Sequence, residues 1–144
     1  MKLIGFDREE EAEEWARKKL DLKAAPEFFR ALSATDEKSE FVCVVVMTNF
    51  TTRNVDLSIV MDTKKVRPKA VVEMFNQVFD FTFKTLKVSR VTGLLRGKNK
   101  RSKLAAERFG FKLEGIMRQA FVDDDLHIYG FLAQDYYSHP WYRG

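Results

Sequence analysis

The stretch that decides the fold reads Asn99-Lys100-Arg101-Ser102, continuing through a short helical run to Arg108-Phe109-Gly110-Phe111-Lys112-Leu113-Glu114-Gly115-Ile116-Met117-Arg118. Asn99 follows an apolar strand-like run, Val88 to Arg96, and its side chain can cap the helix that starts after it. Ser102 then falls in the first helical turn, where free N–H groups and the helix dipole favour an anion. Gly110 can take the left-handed conformation that stops the helix, and Phe111 can fold back onto Ala105 or Ala106. Glu114-Gly115 opens the next strand, with Gly115 permitting close packing or a bulge. Gly110, Phe111 and Gly115 thus have structural roles to fill, whereas Asn99 and Ser102 suit either a cap or a ligand.

Downstream, Leu113–Val122 and Leu126–Ala133 flank Asp123-Asp124-Asp125 as a hairpin, and the aspartates either form the turn or attract an amine. The aromatic tail Tyr136-Tyr137-Ser138-His139-Pro140-Trp141-Tyr142 is expected to cover a sheet edge or meet another subunit. Upstream, Pro68 opens a helix whose apolar residues, from Val71 to Leu86, fill two adjoining faces, so it lies against a sheet. Val55, Leu57, Ile59 and Met61 alternate with polar neighbours as a strand, and Phe41–Met47 is apolar throughout, as in a central strand. Pro26–Ala34 reads as a short helix or as a strand that turns at Thr35–Lys38; the strand is preferred, because it makes a hairpin with Phe41–Phe50. Lys2–Phe6 is a first strand, and Asp7 with Glu10 suggests a capping box for the helix carrying Ala12, Trp15, Ala16 and Leu20. The order β-α-β-β-β-α-β-α-β-β predicts an α/β (α+β) chain with a mixed sheet and helices on both sides.

The 144 residues suit one domain, residues 1–144, with enough surface to bury a core. Hydrophobic residues at 45% and charged ones at 32% exclude a disordered chain. The single cysteine excludes a disulfide framework or a multi-thiolate zinc site, and Cys43 in the central strand reads as core. There is no apolar run of about 18 residues to cross a membrane, and the N-terminus turns acidic too soon for a signal peptide. A reduced, cytoplasmic protein is the expectation. A net charge of +4 favours an anionic partner, nucleic acid or a small phosphorylated ligand.

The element order and the string from Asn99 to Arg118 resemble the GNAT superfamily of N-acetyltransferases, nearest the Rim-type ribosomal-protein acetylases and small phage-encoded relatives. The resemblance spans roughly residues 29–134. It implies a mostly antiparallel mixed sheet in which strands 55–62 and 88–96 run parallel and splay apart, joined by the helix at about 68–86. It also implies acetyl-CoA as co-substrate, with no metal, and an amine acceptor that attacks the thioester directly. Asn99 would contact the pantetheine arm and Ser102 would protonate the departing thiolate. A backbone N–H near Val60 or Met61 would polarise the carbonyl, Glu114 would act through a water as base, and Tyr129 is the alternative acid.

The pyrophosphate loop of the family matches Lys65-Val66-Arg67-Pro68-Lys69-Ala70, with Lys65 at the Gln/Arg position, Ala70 as the last small residue and Pro68 in place of a glycine. Proline removes one N–H donor, which Lys64, Lys65, Arg67 and Lys69 can offset by charge. A second basic cluster, Arg96, Lys98, Lys100, Arg101 and Lys103, surrounds Asn99 and could meet the 3′-phosphate or adenine. His127 and His139 have no metal spacing; His127 could line a groove. The acceptor is open between protein N-termini, lysines, polyamines and small amines, and the protein between monomer and homodimer. The alternative to an enzyme is a catalytically inactive GNAT-fold module that binds protein or nucleic acid through the basic face.

Overall fold

Strand β3 (Phe41–Thr48) is buried on both faces because it lies in the middle of a seven-stranded sheet of order β1-β2-β3-β4-β5-β7-β6. The computed structural model describes residues 1–22 and 24–144. The other strands are β1 (Lys2–Gly5), β2 (Arg30–Thr35), β4 (Asn54–Met61), β5 (Arg90–Arg96), β6 (Lys112–Phe121) and β7 (Asp124–Leu132). All neighbours pair antiparallel except β4 and β5, which are parallel. The element order agrees with the sequence reading up to the last strand, after which the structure adds a short helix over Ala133–Tyr137, and the segment before Ala34 is a strand that pairs with β3.

Helix α1 (Glu9–Lys19) covers one face through Ala12 and Ala16, packed on Ala31, Val44 and Val46. The other face carries α2 (Pro68–Asp80), α3 (Lys100–Arg108) and α4 (Ala133–Tyr137). Phe75, Phe79, Phe83, Phe111, Phe131 and Tyr136 form the centre of that core, with Phe111 stacked on Phe131 at 4.9 Å. Each such ring is worth roughly 1.5–3 kcal/mol by burial. Helix α2 runs on into a π-helical turn, Phe81–Thr85. The wider turn sends Phe83 inward to stack on Phe79 and Phe81 outward onto Phe6. Among the described residues no helix is long and apolar enough to cross a membrane.

Two local expectations are corrected. Asp7 does not cap α1: the N-cap is Arg8, with φ of 60° and no side-chain cap. The chain turns there because the Asp7 N–H donates to Ile4 O, and Glu9 reaches out to take the Ala31 N–H and the Arg30 guanidinium, each at 3.0 Å. The aromatic tail covers neither sheet edge, since the edges are β1 and β6. It folds over α2, placing Trp141 and His139 against Phe75. Asn76 secures it: its Nδ2 donates to Trp141 O at 2.7 Å, and its Oδ1 accepts from Arg143 N at 2.8 Å. One asparagine in an apolar helix was the available sequence signal for this junction. The Tyr136 phenol donates to Asp80 at 2.6 Å; burial, then Asp80, pushes its pKa well up.

Candidate active site

Parallel pairing of β4 with β5 ends at Leu57 and Gly93, although β4 continues to Met61 and β5 to Arg96. The strands part there as the sequence reading expects. The opening is a cleft of about 130 Å³ lined by Ile59, Met61 and Thr63 on one side, by Leu95 on β5, and by Arg101, Ser102 and Ala105 on α3. Phe109 and Phe111 close it from the core.

Strand geometry decides which amides face the opening. The Asp62 N–H donates to Val42 O at 2.8 Å, so it points to β3. N–H groups alternate along a strand, so Val60 also points to β3, while Ile59 and Met61 point to the side that β5 has left. Of the two carbonyl donors expected from sequence, Met61 faces the cleft and Val60 does not; the Val60 side chain packs on the α1 face.

The wall opposite Met61 is built by the end of β5 and the start of α3. The Asn99 Oδ1 accepts the Ser102 N–H at 3.1 Å, capping the helix and leaving the Asn99 Nδ2 to donate elsewhere. This sets Ser102 against the cleft. The far end of α3 closes with the Gly110 N–H on Glu107 O and the Phe111 N–H on Ala106 O, with Gly110 at φ of 95°. This double bond pattern is a Schellman stop. The Phe111 main chain returns to Ala106, while its ring goes to Phe131.

Electrostatics single out the same place. Helix α1 places Glu9, Glu10 and Glu11 in its first turn and Arg17, Lys18 and Lys19 in its last, as its dipole favours. Helices α2 and α3 have no acid in the first turn. They begin among Arg67 and Lys69, and Lys100 and Arg101, respectively. Cations at the positive end of a helix are unfavourable until an anion arrives. In the 65–70 segment Val66 packs its side chain into the apolar core beside Val71, and the Lys65 ammonium lies 3.7 Å from Asp36. Arg67 takes the N-cap position, Pro68 is the first helical residue, and the first-turn amides of Lys69 and Ala70 have no partner within the helix.

Several candidates lie elsewhere. Glu114 lies over Gly130, where an added Cβ would collide with its carboxylate, and binds Arg90 at 2.8 Å. Arg90 sits at the start of β5, at the paired end of the parallel strands, so Glu114 is not brought to Ser102. Tyr129 is buried in the core; burial, then the Glu107 carboxylate, raises its pKa. The His127 ring sits beside Gly97, with its Nδ1 buried and unpartnered. The aspartates are not an open acidic cluster: Asp124 accepts the Lys98 and Asp125 N–H groups, and Asp125 accepts the Gln119 N–H. Cys43 is core, its thiol pushed up to about 12 by burial. Sequence reasoning missed the grip of the hairpin on the loop before α3, because it pairs residues distant in sequence.

A mixed sheet opened between two parallel strands, with the cationic start of α3 on one wall, is the architecture of an acetyltransferase fold. A family model described as an acetyltransferase (GNAT) domain matches residues 2–112, and the chain belongs to that family. Among solved structures it is similar to the dodecameric spermidine N-acetyltransferase from Vibrio cholerae, with a TM-score of 0.65 and 18% identity over 91% of this chain and 78% of that one. It is also similar to a GNAT-family acetyltransferase from Bacillus anthracis, with a TM-score of 0.60 and 16% identity over 72% of this chain and 66% of that one. At such identities the likeness is one of fold. No curated protein matches the sequence. The Vibrio cholerae enzyme has also been solved with manganese ions. Among the described residues here, no group of three or more His, Cys, Asp or Glu is placed to hold a metal.

Proposed function

We propose that this protein moves an acetyl group from acetyl-CoA to an amine, in the opening between β4 and β5. The observation that carries the reading is the pairing of the Met61 N–H on one wall with the Ser102 hydroxyl on the other, between two helix starts that carry cations. Family membership supports acetyl-CoA as co-substrate, and the cleft suits it: apolar walls for the pantetheine arm, Asn99 Nδ2 to donate to its amides, and Lys65, Arg67, Lys69 and Arg101 with the Ala70 amide for its phosphates.

In this arrangement the Met61 N–H stabilises charge on the thioester oxygen as the amine nitrogen bonds to the carbonyl carbon. The carbon–sulfur bond then breaks, Ser102 gives its proton to sulfur and recovers one from solvent, and water takes the proton the amine loses. The Asn99–Arg118 string supports a Rim-type or small phage-encoded branch, and the single cysteine supports a reduced, cytoplasmic place of work. Titration calorimetry with acetyl-CoA tests the reading. Binding is expected to weaken as salt rises, and Lys65→Ala with Arg67→Ala is expected to weaken it further. Absence of binding at low salt and millimolar ligand would overturn it.

A further inference from the structure

Resting on that reading, we propose that the tip of the β6–β7 hairpin positions the acetyl-CoA end of α3, and that Asp124 is the positioning residue. None of the nine residues of α3 is buried, and Leu104 at its middle is 67% exposed. Apolar packing along it is thin, with Ala106, near its C-terminal end, the one α3 residue packed against the core. Its C-terminal end is fixed by Phe109, which is buried, and by the Gly110 stop. Its N-terminal end has no such anchor.

What holds the N-terminal end is the turn before it, and that turn is tied to the hairpin. The Gly97 N–H donates to Asp125 O at 2.9 Å. The Lys98 N–H donates to Asp124 Oδ2 at 3.0 Å, and the other Asp124 oxygen accepts the Asp125 N–H at 2.7 Å, which fixes the carboxylate. Asp125 in turn accepts the Gln119 N–H at 2.8 Å, tying the tip to β6. Position 97 is glycine for space: a Cβ there would stand 2.8 Å from His127 Nε2 and 3.0 Å from Asp124 Oδ1. Burial pushes the Asp124 carboxyl up, but the bonds from Lys98 and Asp125 and the nearby Lys98 and Arg96 charges outweigh this, so it stays ionised. One residue beyond Lys98 is Asn99, which caps Ser102. The hairpin tip thereby sets Asn99 and, through its cap, Ser102 on the cleft wall.

Amide hydrogen exchange and acetyl-CoA titration of Asp124→Ala, Asp124→Asn and Gly97→Ala test this. Asp124→Ala is expected to speed exchange over Lys100–Lys103 and weaken acetyl-CoA binding, each on the order of tenfold, the worth of a hydrogen bond to a charged acceptor. Exchange in β2–β4 should stay at the wild-type rate. Asp124→Asn keeps one oxygen for the Lys98 N–H but sets its NH2 against the Asp125 N–H, so it should recover part of the affinity. Gly97→Ala, which crowds the grip without touching Asp124, should repeat the Asp124→Ala pattern. Unchanged exchange in α3 with unchanged affinity would overturn the proposal. So would faster exchange spread equally over β2–β4, or an Asp124→Asn no better than Asp124→Ala. If the wild type binds no acetyl-CoA, the functional reading fails on its own, and the exchange rates still decide whether the hairpin holds α3.

Discussion

Helices α2 and α3 both begin among cations, but opposite forces hold them in place. Helix α2 buries Met74, Phe75, Val78 and Phe79 in the aromatic core. Helix α3 has no fully buried residue, touches the core through Ala106, and is fastened mainly at its two ends. The first is part of what makes the chain fold; the second can shift without costing the core. On the proposed function, acetyl-CoA would meet one fixed wall and one wall whose position polar contacts set.

The contrast makes ordered expectations. Phe79→Ala should be the largest loss, about 3–5 kcal/mol of stability in urea unfolding, because it empties the centre of the ring cluster. A loss below about 1 kcal/mol would mean that α2 is no more central than α3. Ser102→Ala should come next, lowering turnover by about 10²-fold, measured as thiol release, with the unfolding midpoint unchanged. Unchanged turnover would remove the hydroxyl from the chemistry. Asn99→Ala should cost about 1 kcal/mol at the start of α3 and weaken acetyl-CoA binding as well. Leu104→Ala, on the exposed face, should stay within about 0.5 kcal/mol of wild type; a larger loss would show that α3 leans on contacts of its own.

Acidification should give the gentlest effect, and it bears on the α3 side. Asp124 is lowered despite its burial, by the bonds from Lys98 and Asp125; Asp36 is lowered first by the bond from the Glu40 N–H. A carboxyl that ionises more readily folded than unfolded adds stability above its unfolded pKa, about 3.9, and loses it as pH falls through the lower folded value. Melting temperatures should therefore decline below about pH 4, and Asp124→Asn should flatten part of that decline.

What could be read in the sequence follows the range of the forces. The strand alternation at Val55–Met61, the apolar run at Phe41–Met47 and the Asn99 cap all act between neighbours, and all appear in the structure. The parallel splay came through resemblance, and the fold shows it. Glu114 looked available because its partner, Arg90, lies 24 positions away and only the sheet brings them together. The Asp7 cap failed for a similar reason: Glu9 bonds to β2, which lies far along the chain. The hairpin turn expected at Asp123–Asp125 is there, but nothing local says that Lys98 and Gln119 will present their amides to Asp124 and Asp125.

Cys43 gives this protein a built-in reporter. The only thiol in the chain lies in the central strand, buried, with burial holding its pKa near 12. Thiolate is the reactive form, so an alkylating reagent can label Cys43 only when the sheet itself opens. The labelling rate therefore times the opening of the sheet and is silent to movements of α3. Opening of the sheet that carries the cleft can thus be followed in the unmutated protein, apart from movements of the wall that tunes it.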